Sequence, residues 1–169
     1  MPQVYVSIGS NIERERNIRA AVQALKAMFE HVETSPVYES KAEGFDGDDF
    51  YNLAARFDTD EPLEHLCDRL AQVETAQGRA RTSARFAART LDIDVLLYGD
   101  LIRHDDRFDV PRADILTYAH VLGSLVALAP DLRHPETGER LTNRWRRFKN
   151  KSALRVVPID FDSASNAGR

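Results

Sequence analysis

Asp92 and Asp94 are the residues most able to do chemistry in this chain. They stand two apart in Arg89-Thr90-Leu91-Asp92-Ile93-Asp94-Val95-Leu96-Leu97-Tyr98. The β-branched and aliphatic composition predicts a strand, in which both carboxylates point to one face while Leu91, Ile93 and Val95 point to the other. Two residues of strand span about 6.5 Å. Two bare carboxylates at that distance repel by roughly 2–3 kcal/mol at an effective dielectric near 20. The repulsion is relieved by a divalent cation, by a guanidinium or by simple exposure to water. With no nearby His or Cys, a hard cation such as magnesium is the metal such a pair suits. A half-exposed strand with a solvated polar face is the plainer reading.

The residues just upstream favour the metal. Glu74 is followed by Gly78-Arg79-Ala80-Arg81, then Arg85, then Arg89. Arginines at alternating positions in a loop opened by glycine can fork around phosphate oxygens. An arginine loop feeding an acidic strand is the charge pattern of a metal–polyphosphate site, where phosphates bridge cation and guanidinium. The competing expectation is a basic surface loop making ordinary salt bridges.

The rest of the chain must hold these groups in place. At 169 residues it is long enough for one domain with a proper core, expected over 1–160, with 161–169 a disordered tail. A net charge of −4 gives no bulk attraction for nucleic acid or an anionic membrane, so anion binding must be local. The single cysteine, Cys67, excludes an internal disulfide and is expected in the core. With no signal peptide and no apolar run long enough to span a bilayer, the expected location is the cytoplasm.

In chain order, Val4–Ile8 predicts a strand ended by Gly9-Ser10-Asn11, where Asn11 could cap the next helix. The missing second glycine and lysine exclude a P-loop. Arg14–Glu30 carries an apolar stripe at helical spacing. Val32–Tyr38 reads as a strand that Pro36 assigns to a sheet edge. Lys41–Asp49 reads as a lid-like loop. Phe50–Thr59 is again a strand, with Asn52 placed to pair with a heterocyclic amide if it faces a pocket. Pro62 opens a second helix that ends near Glu74. Pro111 is expected to begin a short helix, and Val121–Leu128 another that Pro130 ends. The basic and aromatic run Trp145–Lys151 reads as a solvated tail rather than a nucleic-acid contact. The order predicts an α+β, ferredoxin-like sandwich, an antiparallel sheet with helices packed on one face.

Over roughly residues 3–135 the sequence resembles the hydroxymethyl-dihydropterin pyrophosphokinase family. The marks are Val6-Ser7-Ile8-Gly9-Ser10-Asn11, Phe50-Tyr51-Asn52-Leu53-Ala54, Glu74-Thr75-Ala76-Gln77-Gly78-Arg79-Ala80-Arg81 and Arg89-Thr90-Leu91-Asp92-Ile93-Asp94. The resemblance implies transfer of pyrophosphate from ATP to the hydroxymethyl group of a dihydropterin, in folate biosynthesis, with AMP leaving. It implies that Asp92 and Asp94 ligate two magnesium ions and that Arg79 and Arg89 neutralise the transferring phosphates. Glu74, Arg81, Arg85, Phe86, Arg107 and Arg112 would line the ATP site. Gly44, Phe50, Asn52 and His120 would hold the pterin. A monomer that binds neither nucleic acid nor membrane is expected.

The chain departs from the family pattern in several places. Phe86-Ala87-Ala88 replaces tryptophan followed by Gly-Pro, and Lys41-Ala42 replaces a proline pair. After Val110-Pro111 the family has a histidine and, six residues on, an arginine; here these are Arg112 and Tyr118. His120 stands where an aromatic ring normally stacks on the pterin. The metal–phosphate core is therefore expected intact and the adenine and pterin contacts altered. Two alternatives remain at this level: a divergent enzyme acting on another pterin or heterocyclic alcohol, and a non-catalytic nucleotide-binding module. RNA binding is disfavoured by the paired aspartates and by the lack of an exposed aromatic pair.

Overall fold

A computed structural model of the chain describes residues 1–41, 49–77, 91–149, 151 and 154–162. Gly44, the arginine loop with Arg79, Arg81, Arg85 and Arg89, Phe86, and the tail from 163 onward lie outside the described residues.

Among the described residues the centre is a six-stranded sheet. Strand β1 (Gln3–Ser10) lies between β4 (Phe50–Asp58) and β5 (Asp92–Tyr98), antiparallel to both. Beyond β4 come β3 (Val37–Ser40) and then β8 (Arg155–Val157), while β2 (Glu33–Thr34) also pairs with β4. A separate two-stranded ribbon joins β6 (Arg103–His104) to β7 (Asp109–Val110).

Helices cover both faces of this sheet. Alternation on β1 sends Val4, Val6 and Ile8 to one side, where α1 (Arg14–Met28) and α2 (Leu63–Ala76) pack their buried stripes Ile18, Val22, Leu25 and Leu66, Leu70. Tyr5, Ala54, Leu96 and Leu97 face a second core built from α3 (Asp114–Thr117), α4 (Ala119–Leu128) and α5 (Leu141–Arg147). A bulge between Tyr5 and Val6, opposite Leu97 and Val95, lets Leu96 and Leu97 both join that second core. The α+β class and the antiparallel sheet agree with the sequence reading, but the expectation of helices on one face does not hold. The reason is that both faces of β1, β4 and β5 carry apolar side chains, and the chain after β5 returns across the face that α1 and α2 leave open.

Four local expectations are also corrected. The strand expected over Val32–Tyr38 is two pieces, because Ser35 intervenes: its hydroxyl accepts from Ala54 N at 2.9 Å and donates to Pro36 O at 2.8 Å. Pro36 itself stands between β2, which among the described residues pairs with β4 alone, and β3, which β8 covers. Asn11 does not cap α1; it is buried, and Glu13 takes the cap position at φ 42° with no side-chain bond. The helix expected from Pro111 begins at Asp114, because the Arg112 amide is committed to Leu96 O at 2.9 Å. The run does not start as a tail: Trp145, Arg146 and Arg147 close α5, and the Trp145 ring packs over Gly123 in the second core.

Candidate active site

The antiparallel register lines up the reactive residues in one row across the sheet. Asp92 lies opposite Gly9, Gly9 opposite Asn52, and Asn52 opposite Tyr38. One step along, Asp94 lies opposite Ser7. The side chains of Asp92 and Asp94 share the face that α4 partly covers, and both remain half-buried. Between them, the Ile93 amide donates to Oε2 of Glu74 at 2.7 Å. Glu74 is 8% exposed, so its carboxylate pins the backbone of β5 at the point that sets the direction of both aspartates.

Two cavities meet at this strand. The first, about 340 Å³, is lined by Asp92, Asp94, Gly9, Asn52, Phe50 and His120. Asn52 is nearly buried and donates from Nδ2 to Ser40 Oγ at 2.7 Å. That bond turns Oδ1 over Gly9, where a Cβ would stand 2.9 Å from it. The amide thus offers the cavity an acceptor, and the missing side chain of Gly9 makes the room. At the start of α4 the rings of His120 and Tyr118 stack, with centroids 5.5 Å apart and planes 23° from parallel. Both line the same cavity, so its wall is a flat aromatic surface with polar edges.

The second cavity, about 210 Å³, is lined by Glu74, Arg107 and Arg112 with the apolar Leu70 and Phe108. Asp94 lines both cavities. The Arg107 guanidinium lies 5.0 Å from the centre of the Phe108 ring. Arg112 donates from Nε to Asp114 Oδ2 at 3.0 Å, and its Nη2 lies 3.9 Å from Asp94 Oδ2. Burial opposes the charge on Arg112, but Asp94 and then Asp114 outweigh it and hold the guanidinium protonated. Burial pushes the Cys67 thiol up, helped by Asp68 and Glu64, so Cys67 at this wall is a thiol and not a nucleophile.

Among the described residues no group of three or more His, Cys, Asp or Glu could hold a metal by itself. The Asp92–Asp94 pair nevertheless fits magnesium. That ion takes one or two carboxylates and fills its remaining positions with water and phosphate oxygens. A pair opening onto two cavities leaves those positions accessible.

The structure therefore brings Phe50, Asn52, Asp92, Asp94 and His120 together on one side, and Glu74, Arg107 and Arg112 on the other. Sequence reading missed Gly9, Ser7, Asp114 and Lys41 as lining residues. For Gly9 a signal existed, a glycine ending an apolar strand, but it reads as a turn until the register sets it opposite Asn52.

The family model of 7,8-dihydro-6-hydroxymethylpterin-pyrophosphokinase matches residues 5–130, a span that holds every residue just described. The chain belongs to this family. It is an ATP-dependent pyrophosphokinase, a transferase of folate biosynthesis. A 2-amino-4-hydroxy-6-hydroxymethyldihydropteridine pyrophosphokinase of Haemophilus influenzae is 32% identical over 94% of this chain and 100% of its own length. The enzyme of that name from Pseudomonas aeruginosa is 40% identical over 79% of this chain and 85% of its own. Among solved structures, wild-type HPPK-DHPS of Plasmodium falciparum with pteroate superposes at a TM-score of 0.69, with 11% identity over 94% of this chain. An HPPK-DHPS in complex with substrates gives 0.72 at 9% identity. This chain spans about half the length of those two, 46% and 49%, and at such identity they show the fold alone. Among the described residues no helix is long and apolar enough to cross a membrane.

Proposed function

We propose that the cavity beside Asn52 and His120 takes the hydroxymethyl-dihydropterin, the cavity beside Glu74, Arg107 and Arg112 takes ATP, and the reaction occurs between them at Asp92 and Asp94. The observation that carries this reading is that Asp94 lines both cavities. Asn52 Oδ1 accepts from an N–H edge of the heterocycle, and His120 with Tyr118 supplies the flat surface against its ring. Phe50, and Gly44 from the loop before it, complete that side. Arg107 and Arg112 attract the phosphates, Glu74 holds β5 rigid, and Arg81, Arg85 and Phe86 complete the nucleotide side. Two magnesium ions held by Asp92 and Asp94 would neutralise the triphosphate and orient it. Arg79 and Arg89 would neutralise charge on the transferring phosphates, the role the family resemblance implies. The acceptor hydroxyl oxygen bonds to the β-phosphorus as the bridge to the α-phosphate breaks. Asp92, beside the hydroxyl, orients it, the hydroxyl proton passes to water, and AMP departs with the bridging oxygen and the electron pair of the broken bond. The residues contribute positioning and charge neutralisation, with no covalent intermediate.

The chain is further read as a monomer in the cytoplasm, acting on ATP and a pterin alcohol and on neither nucleic acid nor membrane. The cytoplasmic reading is supported by a lone cysteine suited to a reducing compartment.

The test is AMP release from magnesium-ATP with and without the dihydropterin, on wild type and Asp94→Ala, with the product identified by mass. Acceptor-dependent AMP that the substitution lowers by about a thousandfold or more supports the reading, since charge stabilisation at the phosphates is a dominant contribution. AMP with a related heterocyclic alcohol but not with the dihydropterin would favour the second reading, a changed acceptor. That outcome is favoured by the polar wall of Tyr118, His120 and Asp114. Magnesium-dependent ATP binding with no AMP from any acceptor would mean a binding module.

A further inference from the structure

Arg112 lies between two carboxylates. Its Nε donates to Oδ2 of Asp114 at 3.0 Å, and Asp114 lines the acceptor side only. Its Nη2 stands 3.9 Å from Oδ2 of Asp94, too far for a hydrogen bond. The backbone cannot adjust to favour either. Arg112 N donates to Leu96 O at 2.9 Å, and Arg112 O accepts from Ile115 N at 3.1 Å. Only the torsions of the guanidinium arm decide how it is shared, and the Asp114 bond biases them away from Asp94. A guanidinium and a divalent cation are alternative counter-charges for one carboxylate, so an arginine seated on Asp94 must be displaced before an ion takes that oxygen.

We propose that Asp114 is a positioning residue that holds Arg112 off Asp94 and thereby sets how readily Asp94 takes magnesium. The role rests on the metal–nucleotide reading given above. It uses Arg112, which stands where the family pattern has a histidine, and the carboxylate two residues on. When Asp114 loses its charge, the arm turns to the nearest remaining carboxylate, which is Asp94, and becomes a competitor of the ion. When Arg112 is removed, Asp114 has nothing to restrain, and its own charge ceases to matter to the metal.

Calorimetric binding of an ATP analogue with a methylene between the α- and β-phosphorus, repeated over a magnesium series, tests this without turnover. Asp114→Asn should raise the magnesium concentration for half-maximal binding by about two- to fivefold, the range in which a partly exposed ion pair acts. Asp114→Glu keeps the charge and should restore the wild-type value. Arg112→Gln removes a phosphate contact and sets its own baseline, and the double variant Asp114→Asn with Arg112→Gln should match Arg112→Gln alone. An unchanged magnesium requirement in Asp114→Asn overturns the proposal. So does a double variant that retains the shift of Asp114→Asn, since the effect then does not pass through Arg112. If wild type binds the analogue equally well without magnesium, the metal reading itself fails, an outcome distinct from the other two.

Discussion

Gly9 sets the depth of the first cavity, the one proposed for the acceptor. A methyl group there would stand 2.9 Å from Asn52 Oδ1, and Ser40 Oγ holds the other end of that amide, so Asn52 has no room to retreat. Gly9→Ala should therefore raise KM for the acceptor about tenfold, the equivalent of one hydrogen bond of ~1.5 kcal/mol. Binding of the ATP analogue should change much less, because Gly9 lines the first cavity and not the second. An unchanged acceptor KM would show that Asn52 Oδ1 is not the group that meets the substrate. The roles of Asp92 and Asp94 rest on a property visible at the same scale, the two-residue period of a strand. The role of Glu74 is different: its acceptance of the Ile93 amide joins residues 19 apart and has no local signature.

Helices α4 and α5 form the layer that carries His120 into the site. They meet at Gly123, where a Cβ would lie 2.8 Å from Cη2 of Trp145 and 3.2 Å from Leu154 Cδ1. In an isolated helix, glycine to alanine stabilises by about 1 kcal/mol. Here the indole cannot withdraw without opening the second core, and overpacking of that kind costs about 1–3 kcal/mol. Gly123→Ala should thus be destabilising on balance, lowering the urea midpoint, and adding Trp145→Phe should recover part of the loss. A higher midpoint for Gly123→Ala would mean that α5 is not firmly seated. The element scale is also where sequence reading was least complete. The strands β6, β7 and β8 are two or three residues long, too short for a period to show, and they exist because longer neighbours offer them partners.

The whole molecule titrates through ion pairs that join distant segments. His104 in β6 sits 2.5 Å from Glu136 and 2.6 Å from Asp109, and these carboxylates, Glu136 foremost, raise its pKa above 6.5. Its stabilising contribution is complete below about pH 6.5, the unfolded value, and disappears as pH climbs through the raised folded value. His134 nearby runs the other way, because burial lowers its pKa; its contribution is present above about pH 6.5 and is lost as pH falls toward the lowered value. Stability curves by urea at about pH 6 and about pH 8.5 separate the two. The gap between wild type and His104→Gln should be wider at the lower pH and close at the higher. A gap independent of pH would mean that His104 is not charged in this clamp. On the acid side Asp105 is held at about 2, by Arg103 first and then by the amides of Arg107 and Phe108, so its contribution persists until the pH falls toward that value.

The local facts of this protein were legible without a structure. The pairing of Asp92 and Asp94 on one face, the amphipathic stripes of α1 and α2 and the class of chemistry follow from period, charge and residue type within a few positions of one another. So did Asn52 as the amide in a strand, since its face is set by its apolar neighbours Leu53, Ala55 and Phe57. The tertiary structure decided what depends on which strands are neighbours. The row Asp92–Gly9–Asn52 exists only because β1 pairs with both β4 and β5 in one register. The two-sided helical cover follows from the chain after β5 crossing back over the exposed apolar face, a choice made by total buried area and not by any local pattern. The sharing of Arg112 between Asp114 and Asp94 is of the same kind. Contacts across long sequence separations depend on where folded elements come to rest, and no run of adjacent residues encodes that.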